Sequence, residues 1–320
     1  MDNHTSSTRS SIVSINNLTR RYKEKTAVKN LNLSIAENQI FGLIGPNGAG
    51  KTTTVKMLTT LLAPSSGTAT VNGYDIVTQA RQVRQSIGYV PQEAQADEAL
   101  SGREHLILQG RLYNMDKELM AQRIDEVLEL VGLKEDADKR ALEYSGGMRK
   151  LMDIATGLLH KPKVLFLDEP TSGVDVTHRQ RILSHIRQLP AAGMTIFLTT
   201  HFLEEVDKLA HQVALLNNGQ IIAKGTPQEL KTSIGAAIVD VTLQDDTAVA
   251  QTAKTLQTES SIRKMVQDGN HLKLFTTGEN DALLVVKQKL DGLSLVPQAL
   301  SLTQPTLDDV FFYHLGKEVN

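Results

Sequence analysis

Eight residues, Gly45-Pro46-Asn47-Gly48-Ala49-Gly50-Lys51-Thr52, constrain this chain more than any other stretch. They fit the pattern G-x-x-x-x-G-K-[ST]. Ahead of them, Gln39-Ile40-Phe41-Gly42-Leu43-Ile44 reads as a short buried strand. Behind them, Thr53-Thr54-Val55-Lys56-Met57-Leu58 reads as the start of a helix expected over 51–62 and stopped at Pro64. Strand, glycine-rich loop and helix in that order turn backbone N–H groups and a helix N-terminus toward one spot, which suits phosphate. In such a loop Lys51 reaches the β- and γ-phosphates, and the Thr52 hydroxyl ligates magnesium. The loop alone says nucleotide; the remaining residues must say what for.

Composition narrows the classes. The 320 residues suffice for two domains. A net charge of −2 offers no basic excess for nucleic acid, and 4% aromatics with no tryptophan offer little for base stacking. With no cysteine, disulfides, thiolate metal sites and cysteine nucleophiles are excluded. No stretch reaches the roughly 18 apolar residues that span a bilayer. Met1 to Ser10 lacks a signal-peptide core and reads as a disordered tail, so the expectation is a cytosolic chain.

Along the chain, Ser11–Ile15 alternates as a strand, Leu18–Tyr22 follows, and Leu31–Ile35 alternates again, so the opening reads as a small antiparallel sheet. Tyr22 on its edge suits stacking on adenine, or a half-buried strand position. Thr68–Val71 with Asn72-Gly73 reads as strand and hairpin. Ile87–Val90 is a strand ending at Pro91-Gln92, and Gln92 at that end touches metal or water, or is a solvated loop residue. Residues 101–160 change to helical spacing, with Leu106, Leu108, Leu112 and Tyr113, then Ile124, Val127, Leu128 and Val131. Ser145-Gly146-Gly147-Met148 opens the next helix, as a second anion site or a plain cap. Val164–Leu167 is continuously apolar and ends in Asp168-Glu169, a pair suited to magnesium-assisted chemistry: Asp168 on the ion, Glu169 on the attacking water. Ser172-Gly173-Val174-Asp175 is a tight loop. Thr195–Thr200 is another buried strand, ending at His201, a placement that favours a catalytic histidine.

After a short helix through Leu230 the chemistry stops. Strand 236–243, helix 247–257, strands 261–266 and 271–276, helix 281–290 and strand 294–302 follow as βαββαβ, a ferredoxin-like order. This part reads as a regulatory or interaction domain. In the closing Pro305-Thr306-Leu307-Asp308-Asp309-Val310-Phe311, the apolar residues share one helical face, for core packing or for docking a partner.

The glycine loop, Gln92, Ser-Gly-Gly, Asp168-Glu169, Ser-Gly-x-Asp and His201, in this order and spacing, resemble the ATP-binding subunit of ABC transporters across residues 11–230. The resemblance implies an α/β fold: a P-loop ATPase domain with mixed-sheet core, antiparallel β subdomain and helical insertion at about 95–160, followed at 231–320 by the small α+β domain. It implies ATP contacts from Tyr22, Gly45, Pro46, Asn47, Gly48, Ala49, Gly50, Lys51, Thr52 and Thr53. Thr52, Gln92 and Asp168 are the implied metal residues; Glu169, His201 and Gln92 are the catalytic ones. Ser145, Gly146, Gly147 and Met148 match the signature that meets the partner's ATP, and Asp175 the D-loop. One site of each kind per chain implies a head-to-tail pair, most simply a homodimer, on a separate transmembrane permease at the cytoplasmic face. Tyr144 in place of the commoner leucine, Met148-Arg149, Asp153-Ile154-Ala155 and the closing motif resemble the daunorubicin-resistance type of ABC-2 exporter ATPases. ATP and Mg²⁺ are the implied cofactors, and drug or lipid-like export the implied task. The alternatives are a soluble ABC ATPase of translation or DNA repair, which tends to carry two cassettes or long coiled coils, and a P-loop kinase or GTPase, which the signature and His201 oppose.

Overall fold

The computed structural model describes residues 11–93, 96–278 and 282–318, so the tail expected over residues 1–10 lies outside the described residues. Alternating apolar residues shape the opening. In β1 (Ser11–Tyr22) and β2 (Lys25–Ala36), Val13, Ile15, Leu18, Leu31, Leu33 and Ile35 are buried, and the strands pair antiparallel with Ile15 opposite Leu33. The stretch 18–22 that follows the first expected strand is the far end of β1. β3 (Ile40–Ile44) is apolar and buried throughout, as a strand flanked on both faces requires. It feeds the glycine loop and α1 (Lys51–Leu58), which is shorter than the 51–62 predicted. Thr59 folds its hydroxyl back on Val55 O, and Thr60 turns left-handed at φ 64°, ending the helix.

β4 (Ser66–Val71) pairs with β1, and Asn72-Gly73, both at positive φ, turn it into β5 (Tyr74–Asp75). These strands form a four-stranded antiparallel sheet in the order β2-β1-β4-β5. α2 (Ala80–Ser86) then leads to β6 (Ile87–Val90). The helical insertion carries α3 (Gly102–Leu112), α4 (Lys117–Leu130) and α5 (Gly146–Leu158). Ile124, Val127, Leu128 and Val131 are buried as their spacing predicts, but on α3 only Leu106 is; Leu108 and Leu112 face outward. β7 (Val164–Asp168), α6 (Val176–Gln188), β8 (Thr195–Thr200), α7 (Leu203–Leu209), β9 (Gln212–Asn217) and β10 (Gln220–Gly225) follow.

The central sheet has the order β10-β9-β3-β8-β7-β6, and β9, β3, β8, β7 and β6 run parallel. Parallel strands bring their C-terminal ends to one edge, where ligands bind in open α/β sheets. In register, Ile44 lies beside Thr200, Thr199 beside Asp168, and Leu167 beside Val90. Four segments far apart in sequence therefore leave the sheet at one place: Gly45, Gln92, Glu169 and His201.

The chain divides into two compact units, Met1–Lys224 and Gly225–Asn320. The break falls ahead of the boundary expected at 230, so α8 (Pro227–Ile234) belongs to the second unit. There follow β11 (Ala237–Thr242), α9 (Asp246–Leu256), β12 (Ile262–Asp268), β13 (His271–Thr276), α10 (Ala282–Gly292), β14 (Ala299–Thr303), α11 (Leu307–Leu315) and β15 (Lys317–Glu318). From β11 to β14 the order is the βαββαβ expected. Position 281 of the predicted 281–290 helix lies outside the described residues. The strands line up as β14-β11-β13-β12, each antiparallel to its neighbour, with β15 added at the β12 edge. β14 starts later than the predicted 294–302 strand, after a left-handed turn at Ser294. Val249, Leu256, Val286 and Leu290 of α9 and α10 join Val239, Val241, Leu272 and Leu274 in this unit's own core.

Candidate active site

The glycine loop is held by close backbone approach. A Cβ at Gly45 would lie 2.1 Å from Leu216 O, and Gly50 caps α1 at φ 111°, which side chains resist. The loop lines a cavity of about 440 Å³ together with Tyr22, Lys25, Ala27, Gln92 and Glu169. Asn47, Gly48, Gly50, Lys51, Thr52 and Thr53 contribute from the loop and the first turn of α1. That size suits a small organic ligand. Tyr22 is 43% exposed, with the Arg20 guanidinium 4.8 Å from its ring centre.

Lys51 is buried. Its ammonium donates to Gly45 O at 2.8 Å and Pro46 O at 3.3 Å, and it pairs with Glu169 Oε1 at 3.2 Å. Glu169 Oε2 lies 3.1 Å from His201 Nδ1. One buried carboxylate thus joins the loop lysine to the histidine at the end of the neighbouring strand. Glu169 itself has φ 49°, rare for a residue with a long side chain. Its N–H donates to Thr199 O at 3.0 Å and lies 3.2 Å from Thr199 Oγ1.

Asp168 is also buried. Its Oδ1 accepts from Thr199 Oγ1 at 2.5 Å and from Thr52 Oγ1 at 3.2 Å, while its Oδ2 is buried with no hydrogen-bond partner. Burial, and then the negative charge of nearby Asp168, push the pKa of the Tyr89 hydroxyl up to about 12.

Ser145, Gly146, Gly147, Met148 and Asp175 are not among the residues lining this cavity. They form a second place on the same unit. Ser145 caps α5, its Oγ accepting from Met148 N at 3.2 Å, and Gly146 opens to solvent. Asp175 caps α6, accepting from Thr177 N and His178 N. These N–H donors, that of His178 first, hold its carboxyl below the usual carboxylate range. His178 lies against Gly147 and points Nδ1 at Asp175 Oδ2, 2.6 Å away, so it joins the two segments.

Sequence reading passed over four contributors. Thr199 serves both Asp168 and Glu169. His178 links Gly147 to Asp175. Lys150 reaches the Gln92 segment through Pro91 O at 2.6 Å and Gln92 O at 3.0 Å. Glu205 on α7 accepts from Thr171 Oγ1 at 2.9 Å and faces Arg179 at 3.6 Å; burial raises its pKa, against the pull of Thr171 and Arg179. A signal was present for Thr199, since a hydroxyl inside a wholly buried strand must find a partner.

A buried lysine on the glycine-rich loop, a buried acid pair and a histidine meet at one sheet edge, an arrangement chemically able to hold phosphate and activate a water. Comparison with known proteins agrees. The family model for the ABC transporter matches residues 28–172. The chain is 38% identical over 310 residues to the daunorubicin resistance ATP-binding protein DrrA3 of Streptomyces coeruleorubidus, covering 96% of each. The chain belongs to the ABC transporter ATP-binding family. It is 36% identical to the Nod factor export ATP-binding protein I of Paraburkholderia xenovorans, over 94% of this chain and 95% of that one. Among solved structures, the ATP-binding subunit of an ABC transporter superposes with a TM-score of 0.63 at 26% identity, covering 69% of this chain and 92% of its own. The cbiO1 subunit of Clostridium perfringens gives 0.65 at 26% identity, over 78% and 96%. The ABC chain is an ATP-binding, ATP-hydrolysing subunit of a transporter, not a translation or repair ATPase. Among its described residues no helix is long and apolar enough to cross a membrane.

Proposed function

We propose that the chain powers an ABC-2 type exporter of drug-like or lipid-like cargo, as a homodimer docked on a separate permease at the cytoplasmic face of the membrane. The observation that carries the enzymatic part is the joining of Lys51, Glu169 and His201 beside the glycine-loop cavity. The exporter part rests on relatives whose names describe drug resistance and export, matched over nearly the whole chain.

In this reading Tyr22 stacks on adenine, and the N–H groups of Asn47 to Thr53, with Gly45 and Pro46 shaping the turn, take the phosphates. Lys51 binds the β- and γ-phosphates, and Glu169 accepts the proton of the attacking water while His201 holds the carboxylate in place. Gln92 senses the γ-phosphate from the end of β6. Mg²⁺ fits the donors: Asp168 offers an unpartnered buried oxygen, and the Thr52 hydroxyl is hydrogen-bonded to the same carboxylate. Such an ion would neutralise phosphate charge. Ser145 to Met148 and Asp175 complete the partner's site, so closure needs two chains and two ATP. Hydrolysis removes the γ-phosphate contacts and the pair reopens. The second unit helps hold the dimer or the permease together.

Glu169→Gln tests this directly. It keeps ATP binding, lowers phosphate release by at least about 100-fold and runs as a dimer on gel filtration with ATP. Turnover near the parent value would refute the assignment. Membranes solubilised in detergent should yield a stoichiometric multispan protein with tagged Glu169→Gln chain; capture of soluble partners alone would count against the permease.

A further inference from the structure

α5 starts at the Ser145-Gly146-Gly147 turn, and Lys150 sits in its second turn with only 4% exposure. A lysine there is costly to desolvate, and an apolar side chain would fill the place without that cost. Burial lowers its pKa, while the charges of Asp153 and Asp168 act the other way. The ammonium spends its protons on the backbone that follows β6, donating to Pro91 O at 2.6 Å and to Gln92 O at 3.0 Å. Charge-assisted bonds of this length are strong and directional. Gln92 lines the ATP cavity; Ser145 to Gly147 do not. The helix carrying one site is therefore pinned to the loop lining the other.

We propose that Lys150 is a positioning residue that ties Gln92, beside the chain's own ATP, to the signature helix that meets the partner's ATP. A shift of the Gln92 segment on nucleotide binding then moves the start of α5, and each ATP reports to the other through its own chain. This inference rests on the homodimer reading above.

A double-mutant cycle on the full chain tests it, with Lys150→Met, Gln92→Ala and the pair. Lys150→Met should lower kcat about tenfold, leave ATP affinity of the single chain within about twofold, and bring the Hill coefficient for ATP toward one. Lys150→Arg, which keeps the charge and the donors, should restore most of the turnover and the cooperativity. In the Gln92→Ala background, Lys150→Met should add no further loss. Additive losses, or parental kcat and Hill coefficient in Lys150→Met, would overturn the proposal. If the Met variant fails to fold, Lys150→Gln replaces it in the same cycle with the same criteria. Parental turnover by Glu169→Gln would sink the ATP-site reading itself. An inactive Glu169→Gln with an additive cycle would sink only the role of Lys150.

Discussion

At Glu169 the backbone occupies the left-handed region, which costs a residue with a Cβ about 1–2 kcal/mol. Such strain persists only where neighbours over-determine it. Thr199 does so here, holding the Glu169 N–H and the Asp168 carboxylate at once. Thr199→Val keeps the volume and removes the hydroxyl. It should destabilise the chain by about 1–3 kcal/mol and lower kcat about tenfold, whereas Thr199→Ser should keep both near the parent; melting and phosphate release measure this. A second prediction concerns His160. Its Nε2 bonds to Ile87 O at 2.8 Å, its ring stacks on Tyr113, and its Nδ1 is buried without a partner. Burial lowers its pKa, and His185 and His314 shift the same way for the same reason. The folded pKa lies below the unfolded one, so falling pH protonates the unfolded chain first. Stability present above about pH 6.5 is then lost below it. His160→Gln keeps the bond to Ile87 O and cannot titrate, so its melting temperature should fall less steeply between about pH 7 and pH 5. At this scale the motif residues were legible because their chemistry demands particular types. Thr199 gave a signal, a hydroxyl inside a buried strand, but not its partners; His178 and Lys150 gave none, because Gly147 and the Pro91-Gln92 backbone they meet lie far away in sequence.

Among elements, the apolar strands were the most legible, since a strand buried on both faces leaves little choice of residue. Helix and strand ends were less so. α1 stops where Thr60 turns left-handed, and β14 waits on the turn at Ser294; neither alters the apolar pattern. The closing motif reads as an apolar helix face, and Leu307 and Val310 are indeed buried. Its polar letters do as much. Thr306 and Asp309 form a reciprocal capping box on α11, and Asp309 also pairs with Lys273 of β13 at 2.7 Å. Thr306→Ala should cost the second unit about 1 kcal/mol, read by denaturant unfolding. Asp309→Ala, which loses the box and leaves Lys273 short of a partner, should cost more.

For the molecule as a whole, the sequence revealed two parts because chemistry-bearing motifs end before residue 230, but motifs do not mark where contacts divide. The division precedes Thr226, whose own capping box with Glu229 starts α8 as part of the second unit. A chain ending at Lys224 should therefore stay monodisperse and bind ATP. One ending at Leu230 keeps half of α8 with the otherwise buried Leu230, and should aggregate more on gel filtration. The second unit also has a feature with wider reach: α8, its first helix, packs on α11, its last helix. A module whose entry and exit are neighbours tolerates new chain ends elsewhere and needs only a short tether to a host. Circular permutants opened at the Gly269-Asn270 turn between β12 and β13 would be the natural ones to build. The same closeness suits the module to insertion into a surface loop of a host domain, where both of its ends must meet the host side by side.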